Sequence, residues 1–344
     1  MAIGLGSITI ISALTMSSCR DKFTTQYDTL VKTDTLNMCS CDTGWMMRSS
    51  GTNSTLIISH FVSPTLGFAG GTNGTLLKTT DTGTTWQTLP PVAVAGNSGT
   101  GIYGLWFFDA MNGVAVGDGQ NIFQTYNGGN SWSATPFSSS FIPRCLYFIN
   151  QNVGFIGTTD PGTAGGDGEI WRTSDGGSSW SKVYICSTGA VFNIEFTSFN
   201  NGIATGNYGA AMWTTDAGLT WNQGTMDQST MATHTAFISP MVGFASAGPA
   251  NGDTTYGALL QTSDGGHSWH TIMNTPYLLQ AMAANAKGVI TAAGWTGNTL
   301  ESTDGGLTWK HNQVGSNRWV RSEFASPTRE VMIGGNGSIA TGEK

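Results

Sequence analysis

Residues 173–180 read "TSDGGSSW", and the same word returns along the chain. Close copies stand at 79–86 ("TTDTGTTW"), 214–221 ("TTDAGLTW"), 262–269 ("TSDGGHSW") and 302–309 ("STDGGLTW"), with a looser one, "TYNGGNSW", at 125–132. The closing tryptophans, Trp86, Trp132, Trp180, Trp221, Trp269 and Trp309, lie 46, 48, 41, 48 and 40 residues apart. A period of that length marks a repeat architecture, in which one supersecondary unit is stacked many times. An acidic residue in such a word is a catalytic group, a metal ligand or a turn-former, and the repetition decides among them. Chemistry does not need one carboxylate at five equivalent places. Asp81, Asp175, Asp216, Asp264 and Asp304, with Asn127 in the looser copy, are therefore expected to be structural. Their side chains would accept backbone N–H groups in an Asx-type turn, and the glycines would supply positive φ. A metal is not expected, because each copy offers a single carboxylate.

A second ladder runs between the words. Phe61, Phe107, Phe148, Phe196, Phe237, Met282 and Phe324 are each followed six residues later by Gly67, Gly113, Gly154, Gly202, Gly243, Gly288 and, exceptionally, Glu330. Short alternating runs rich in β-branched and aromatic residues flank these positions, so each unit reads as four short strands. "YLLQAMAANAKG" at 277–288 has helical propensity, but the Met282–Gly288 spacing assigns it to a first strand. Four strands per period of 40–50 residues is the pattern of a propeller blade. The ladder has seven members against six words. The seventh unit stops at "GSIATGEK" without a fourth strand, and "CDTGWMMRSS" places Trp45 one repeat before Trp86. The expected fold is all-β: a seven-bladed β-propeller over 44–344, closed by an N-terminal strand in the C-terminal blade.

The word resembles the Asp box, or bacterial neuraminidase repeat, S/T-x-D-x-G-x-x-W. The longer stretch "GFAGGTNGTLLKTTDTGTTW" (67–86) is similar to the photosystem II stability/assembly factor family and its many relatives in non-photosynthetic bacteria. The resemblance covers about residues 45–344. It implies a seven-bladed ring used as a binding platform, without enzymatic activity and without a cofactor. Photosynthetic members of that family bind a reaction-centre subunit through a basic patch. This chain carries 14 Lys+Arg against 21 Asp+Glu, a formal charge of −7, which points to a non-photosynthetic relative with a different partner. The same balance, with no basic cluster, argues against nucleic acid.

The N-terminus reads as a targeting segment. "AIGLGSITIISALTM" has the length of a signal-peptide apolar region and is short for a membrane span. It ends in "MSSC", which resembles a lipoprotein cleavage box. A signal peptide over 1–18, a lipid on Cys19 and a polar tether over 19–43 follow, anchoring the ring to a membrane outside the cytoplasm. No Lys or Arg precedes the apolar run, a departure from that pattern. Cys39 and Cys41 lie in the tether, as incidental thiols or a local disulfide.

Three functional classes compete. A sialidase needs three arginines converging on a carboxylate, and the chain has seven in all, one of them (Arg20) in the tether; the F/Y-R-I-P strand motif is absent. A glucanase-like hydrolase needs two opposed carboxyl groups, for which Glu195 and Glu323 hold equivalent positions in blades four and seven. The expected function is instead a non-enzymatic scaffold that docks a protein partner, either an assembly factor or an accessory subunit of an envelope or membrane complex. Loops presented by a rigid frame are where such function sits. Long insertions occur at 158–169 and 247–257, and one long connection between blades at 90–104. Asp160, Asp167 and Glu169 in the first of these match no calcium-loop spacing. Near the mouths of the first strands, Tyr103, Arg144, Asn193, His234 and Arg321 are the candidate partner-binding residues.

Overall fold

The computed structural model describes residues 44–93, 100–162, 166–227, 230–249 and 253–344. The signal-peptide, Cys19 and tether expectations, with Cys39 and Cys41, lie outside the described residues, as do parts of all three long loops.

Seven antiparallel sheets are arranged around one axis. The first strands are Leu56–Phe61, Ile102–Phe107, Ile142–Phe148, Val191–Phe196, Thr230–Phe237, Leu279–Ala284 and Trp319–Phe324. Each contacts the next, and the seventh contacts the first, so they line the axis as a closed ring. The apolar core is divided accordingly into seven slabs, one between each pair of neighbouring blades. Second strands such as "GFAGG", "GVAVG" and "GIATG" are buried at every residue because a blade lies against each face. Small residues are what that double burial admits.

The Phe–Gly ladder has a steric cause. Phe61, Phe107, Phe148, Phe196 and Phe237 pair across the hairpin with Gly67, Gly113, Gly154, Gly202 and Gly243. Each ring folds over its partner: a Cβ on Gly154 would stand 2.4 Å from the Phe148 ring. Blade six departs from the expected register. Ala284 pairs with Ile290 there, whereas Met282 pairs with Ala292 and Gly288 sits in the hairpin turn at φ +79. The sizes are exchanged, small opposite large, so the Phe–Gly signal disappears and Met282–Gly288 is two residues out of phase. In blade seven Glu330 takes the glycine's place opposite Phe324.

The ring closes as the tryptophan spacing predicts. Trp45–Arg48 forms the outer strand of the seventh blade, antiparallel to Ile339–Glu343, with Trp45 opposite Gly342 and Arg48 opposite Ile339. Trp45 is 4% exposed and belongs to the slab between blades six and seven. Blade five differs from the four-strand pattern. The chain leaves blade four's outer strand after Asn222–Gln223, and Thr225–Met226 joins blade five in parallel beside Ser268–Trp269. That blade has five strands.

A candidate binding site in the axial channel

Every first strand carries a β-bulge near its start. The register slips between Leu56 and Ile58, and at the equivalent place in the other six blades. A bulge sets two residues against one and re-aims the extra side chain. The extra residues are Ile57, Tyr103, Arg144, Phe192, Thr233, Gln280 and Val320, and all seven line one cavity of about 430 Å³ on the axis. The five residues singled out in the sequence also line it, so the ring brings Tyr103, Arg144, Asn193, His234 and Arg321 together. They belong to two registers, however. Tyr103 and Arg144 are bulge residues, while Asn193, His234 and Arg321 follow the bulge. Six bulge positions lie four residues before a ladder Phe; Ile57, Phe192, Thr233 and Val320 were readable by that count and were missed.

Deeper along the strands, the residue before the last position ties four of the blades to a neighbour. His60 Nε2 donates to the Phe107 carbonyl (3.0 Å) and the Tyr147 hydroxyl to the Phe196 carbonyl (3.4 Å). Glu323 accepts the Phe61 amide (3.0 Å) and the Ser59 hydroxyl (2.9 Å). Glu195 accepts the Thr235 hydroxyl (2.5 Å), which in turn accepts the Asn193 amide (2.8 Å). Burial raises the Glu195 carboxyl to about 7. The two carboxyls considered as a hydrolase pair are thus engaged in equivalent blade-to-blade contacts.

Burial is the first cause of shift in the cavity's titratable groups, with neighbouring charges, Arg321 among them, behind it. Burial, and then the Arg321 charge, pushes His234 down to about 3, and its Nδ1 donates to the Gln280 carbonyl at 2.6 Å. Burial lowers His60 as well, and the ring stacks on Trp106 at 4.2 Å. Both imidazoles are neutral near pH 7. Burial raises the Cys145 thiol to about 12, so it is not a nucleophile. The Arg144 guanidinium lies over the Tyr103 ring, 4.6 Å from its centre, and the Tyr103 hydroxyl donates to Asp118 at 3.3 Å.

The Asp boxes lie at the other end of the blades. Asp264 Oδ1 accepts the Ser268 amide (3.0 Å) and the Thr262 hydroxyl (2.7 Å), and Oδ2 accepts the Ser268 hydroxyl (2.6 Å). Asp81, Asp175, Asp216 and Asp304 repeat this set. In the looser copy, Asn127 Oδ1 accepts the Ser131 amide and Nδ2 donates to the Ser131 hydroxyl. The indole N–H of Trp86, Trp180, Trp269 and Trp309 donates to the last turn glycine. That glycine also meets the preceding blade: Gly306, at φ +90, would set a Cβ 2.2 Å from the Phe244 ring. Glu169 turns inward to Ser139, Trp171 and Lys182. Among the described residues no three His, Cys, Asp or Glu side chains converge as a metal site.

A family profile described as "Photosynthesis system II assembly factor YCF48" matches residues 38–190. The photosystem II assembly lipoprotein Ycf48 of Nostoc sp. (strain PCC 7120) is 27% identical over 308 residues, 86% of this chain and 85% of its own. Its namesake from Trichormus variabilis is 26% identical over the same shares. Among solved structures, YCF48 bound to a D1 peptide superposes with a TM-score of 0.68 at 22% identity, over 88% of this chain and 97% of that one. The GH74 xyloglucanase of Xanthomonas campestris superposes at 0.66 and 15%, over 87% of this chain but 54% of its own. At such identities these two structures speak for the fold alone. The chain is thus a seven-bladed Asp-box β-propeller that is similar in sequence to the photosystem II assembly factor family.

Proposed function

We propose that this protein is a docking platform for a protein partner, acting in the assembly of a membrane complex and held to the membrane by a lipid on Cys19. One geometric observation carries the reading. First strands begin at the end of the blade where second strands finish, as the pairing of Leu56 with Gly71 shows. The cavity's bulges, the connections between blades and the long insertions of blades three and five therefore share one face. In the other five blades the same connection is a tight turn, with Asn73, Gln120, Tyr208, Thr296 or Asn336 at positive φ. A rigid ring with two extended loops beside an axial depression is a surface for recognition. Tyr103, Arg144, Asn193, His234 and Arg321 are the residues we assign to the contact.

The names of the relatives support an assembly role and a lipid anchor. The hydrolase alternative is weaker: the GH74 likeness is one of fold, and Glu195 and Glu323 are spent on holding blades together. The test is capture from native membranes with tagged protein. A variant whose 160–167 loop is shortened to the blade-one turn should keep its melting temperature and lose the partner. Retention of the same partner by that variant argues against this face. Turnover of xyloglucan or sialosides by purified protein argues against the whole reading.

A further inference from the structure

We propose, resting on the docking reading and deepening it, that the axial cavity is a site for a carboxylate carried on a compact apolar or aromatic body. Two arginines bring the charge. Arg144 and Arg321 come from blades three and seven and face the same cavity. Neither makes a salt bridge among the described residues, and the Nε of each is buried without a hydrogen-bond partner. Arg321 sits close enough to the axis to act on His60, Cys145, Glu195 and His234, on four different blades. A buried guanidinium donor without an acceptor is costly, and a planar oxyanion that takes two parallel N–H bonds is its natural complement.

The rest of the lining narrows the class. Glu323 is the one acidic residue among the cavity's lining side chains, and its oxygens already accept Ser59 and the Phe61 amide. Two cations against one carboxyl leave a single positive charge, which suits a monoanion better than a phosphate dianion. The two imidazoles are neutral and add none. The walls are aromatic and apolar: Trp106, Tyr147, Phe192 and Val320. The Gln280 Oε1, also buried and without a partner, offers an acceptor to a ligand hydroxyl or amide. A space of about 430 Å³ admits a small organic acid.

The test is calorimetric titration of the full ring. The probes are benzoate, neutral benzamide, inorganic phosphate, and a blocked hexapeptide with one internal glutamate and no free terminus. Benzoate should bind at least about ten-fold more tightly than benzamide, the factor expected for a charge-assisted pair. Phosphate should bind more weakly than benzoate. Arg321→Gln and Arg144→Gln should each weaken benzoate about ten-fold or more; where one fails to fold, Arg→Lys at that position keeps the charge, loses the fork and should also weaken it. Benzoate alone binding assigns a free acid, and peptide alone assigns a side chain presented by a protein. Equal affinity for benzoate and benzamide, tighter phosphate, unchanged binding in the arginine variants, or no heat from either carboxylate overturns the proposal. It fails separately from the docking reading: partner capture that persists without carboxylate binding leaves that reading standing, and the reverse result leaves this one.

Discussion

The Asp box tolerates asparagine once, and the geometry explains how. Asn127 keeps the acceptor that holds the Ser131 amide and turns its other atom into a donor toward the Ser131 hydroxyl. Asp264→Asn should therefore cost well under the roughly 1–3 kcal/mol expected for Asp264→Ala, which abandons three hydrogen bonds at once. Denaturant unfolding of both variants checks the order. The box also carries a pH signature. Burial pushes the Asp264 carboxyl up, but the Ser268 and Thr262 bonds outweigh it and hold the group at about 2, below its ordinary 3.8. A depressed folded value means stability that is present above pH 3.8 and lost as pH falls towards 2. Asp264→Asn should soften that acid limb, and an unchanged limb would sink the account. The box was legible in the sequence because all its bonds close within eight residues. The channel residues were not, because a bulge adds one residue without leaving a composition signal. Once the bulge is known, counting back from the ladder Phe does separate Arg144, four residues before Phe148, from Arg321, three before Phe324.

The closing strand is the element on which the ring depends. Four residues pair with the last strand, Trp45 fills the slab between blades six and seven, and the Arg48 Nε donates to Thr341 at 2.9 Å. The C-terminal Lys344, buried beneath it, lies 4.5 Å from the Trp45 ring centre and bonds Glu301 of blade six. Removing residues 1–43 should leave a folded, monomeric ring. Removing 1–52 deletes Trp45, exposes the edge of Ile339–Glu343 and should melt far lower or aggregate, since losing a buried aromatic costs about 3–5 kcal/mol. Equal melting temperatures for the two truncations would show that the strand does not close the ring. The same blade holds Glu330, which receives Ser322 (2.6 Å) and Thr291 (2.8 Å) with Lys344 at 3.9 Å. Burial raises its carboxyl from 4.5 to about 7, so stability is fully present below pH 4.5 and falls as pH rises through 7. Glu330→Gln should flatten that decline in Tm against pH, leaving the part due to Glu195. Closure was legible from one tryptophan spacing. Blade six was not, because Ala284 against Ile290 packs as well as Phe against Gly while reversing the sizes.

At the scale of the whole molecule the two faces are unlike, and the chain's own path assigns them. Trp45 pairs with Gly342 near the end of a third strand, the end at which the Asp boxes stand. The polypeptide upstream of Gly44 therefore leaves from the box face, opposite the cavity and the long loops. A net charge of −7 gave no hint of the paired arginines, because Arg144 and Arg321 are far apart in sequence and meet only through ring closure. If Cys19 bears the lipid, the ring is attached through Gly44 on the box face, which leaves the loop face on the side of a partner. Cys19→Ser should move the protein into the soluble fraction when its partner is absent. The orientation itself is tested with thiol labelling in a background where Cys39 and Cys41 are serine; Cys186 is buried and Cys145 is held at about 12, so neither should label readily. Tyr256→Cys reports the blade-five insertion and Leu307→Cys the box face, both exposed in the ring. Partner binding should protect position 256 and leave 307 labelling as before. Protection at 307 with free labelling at 256 would place the partner on the box face and reverse the assignment.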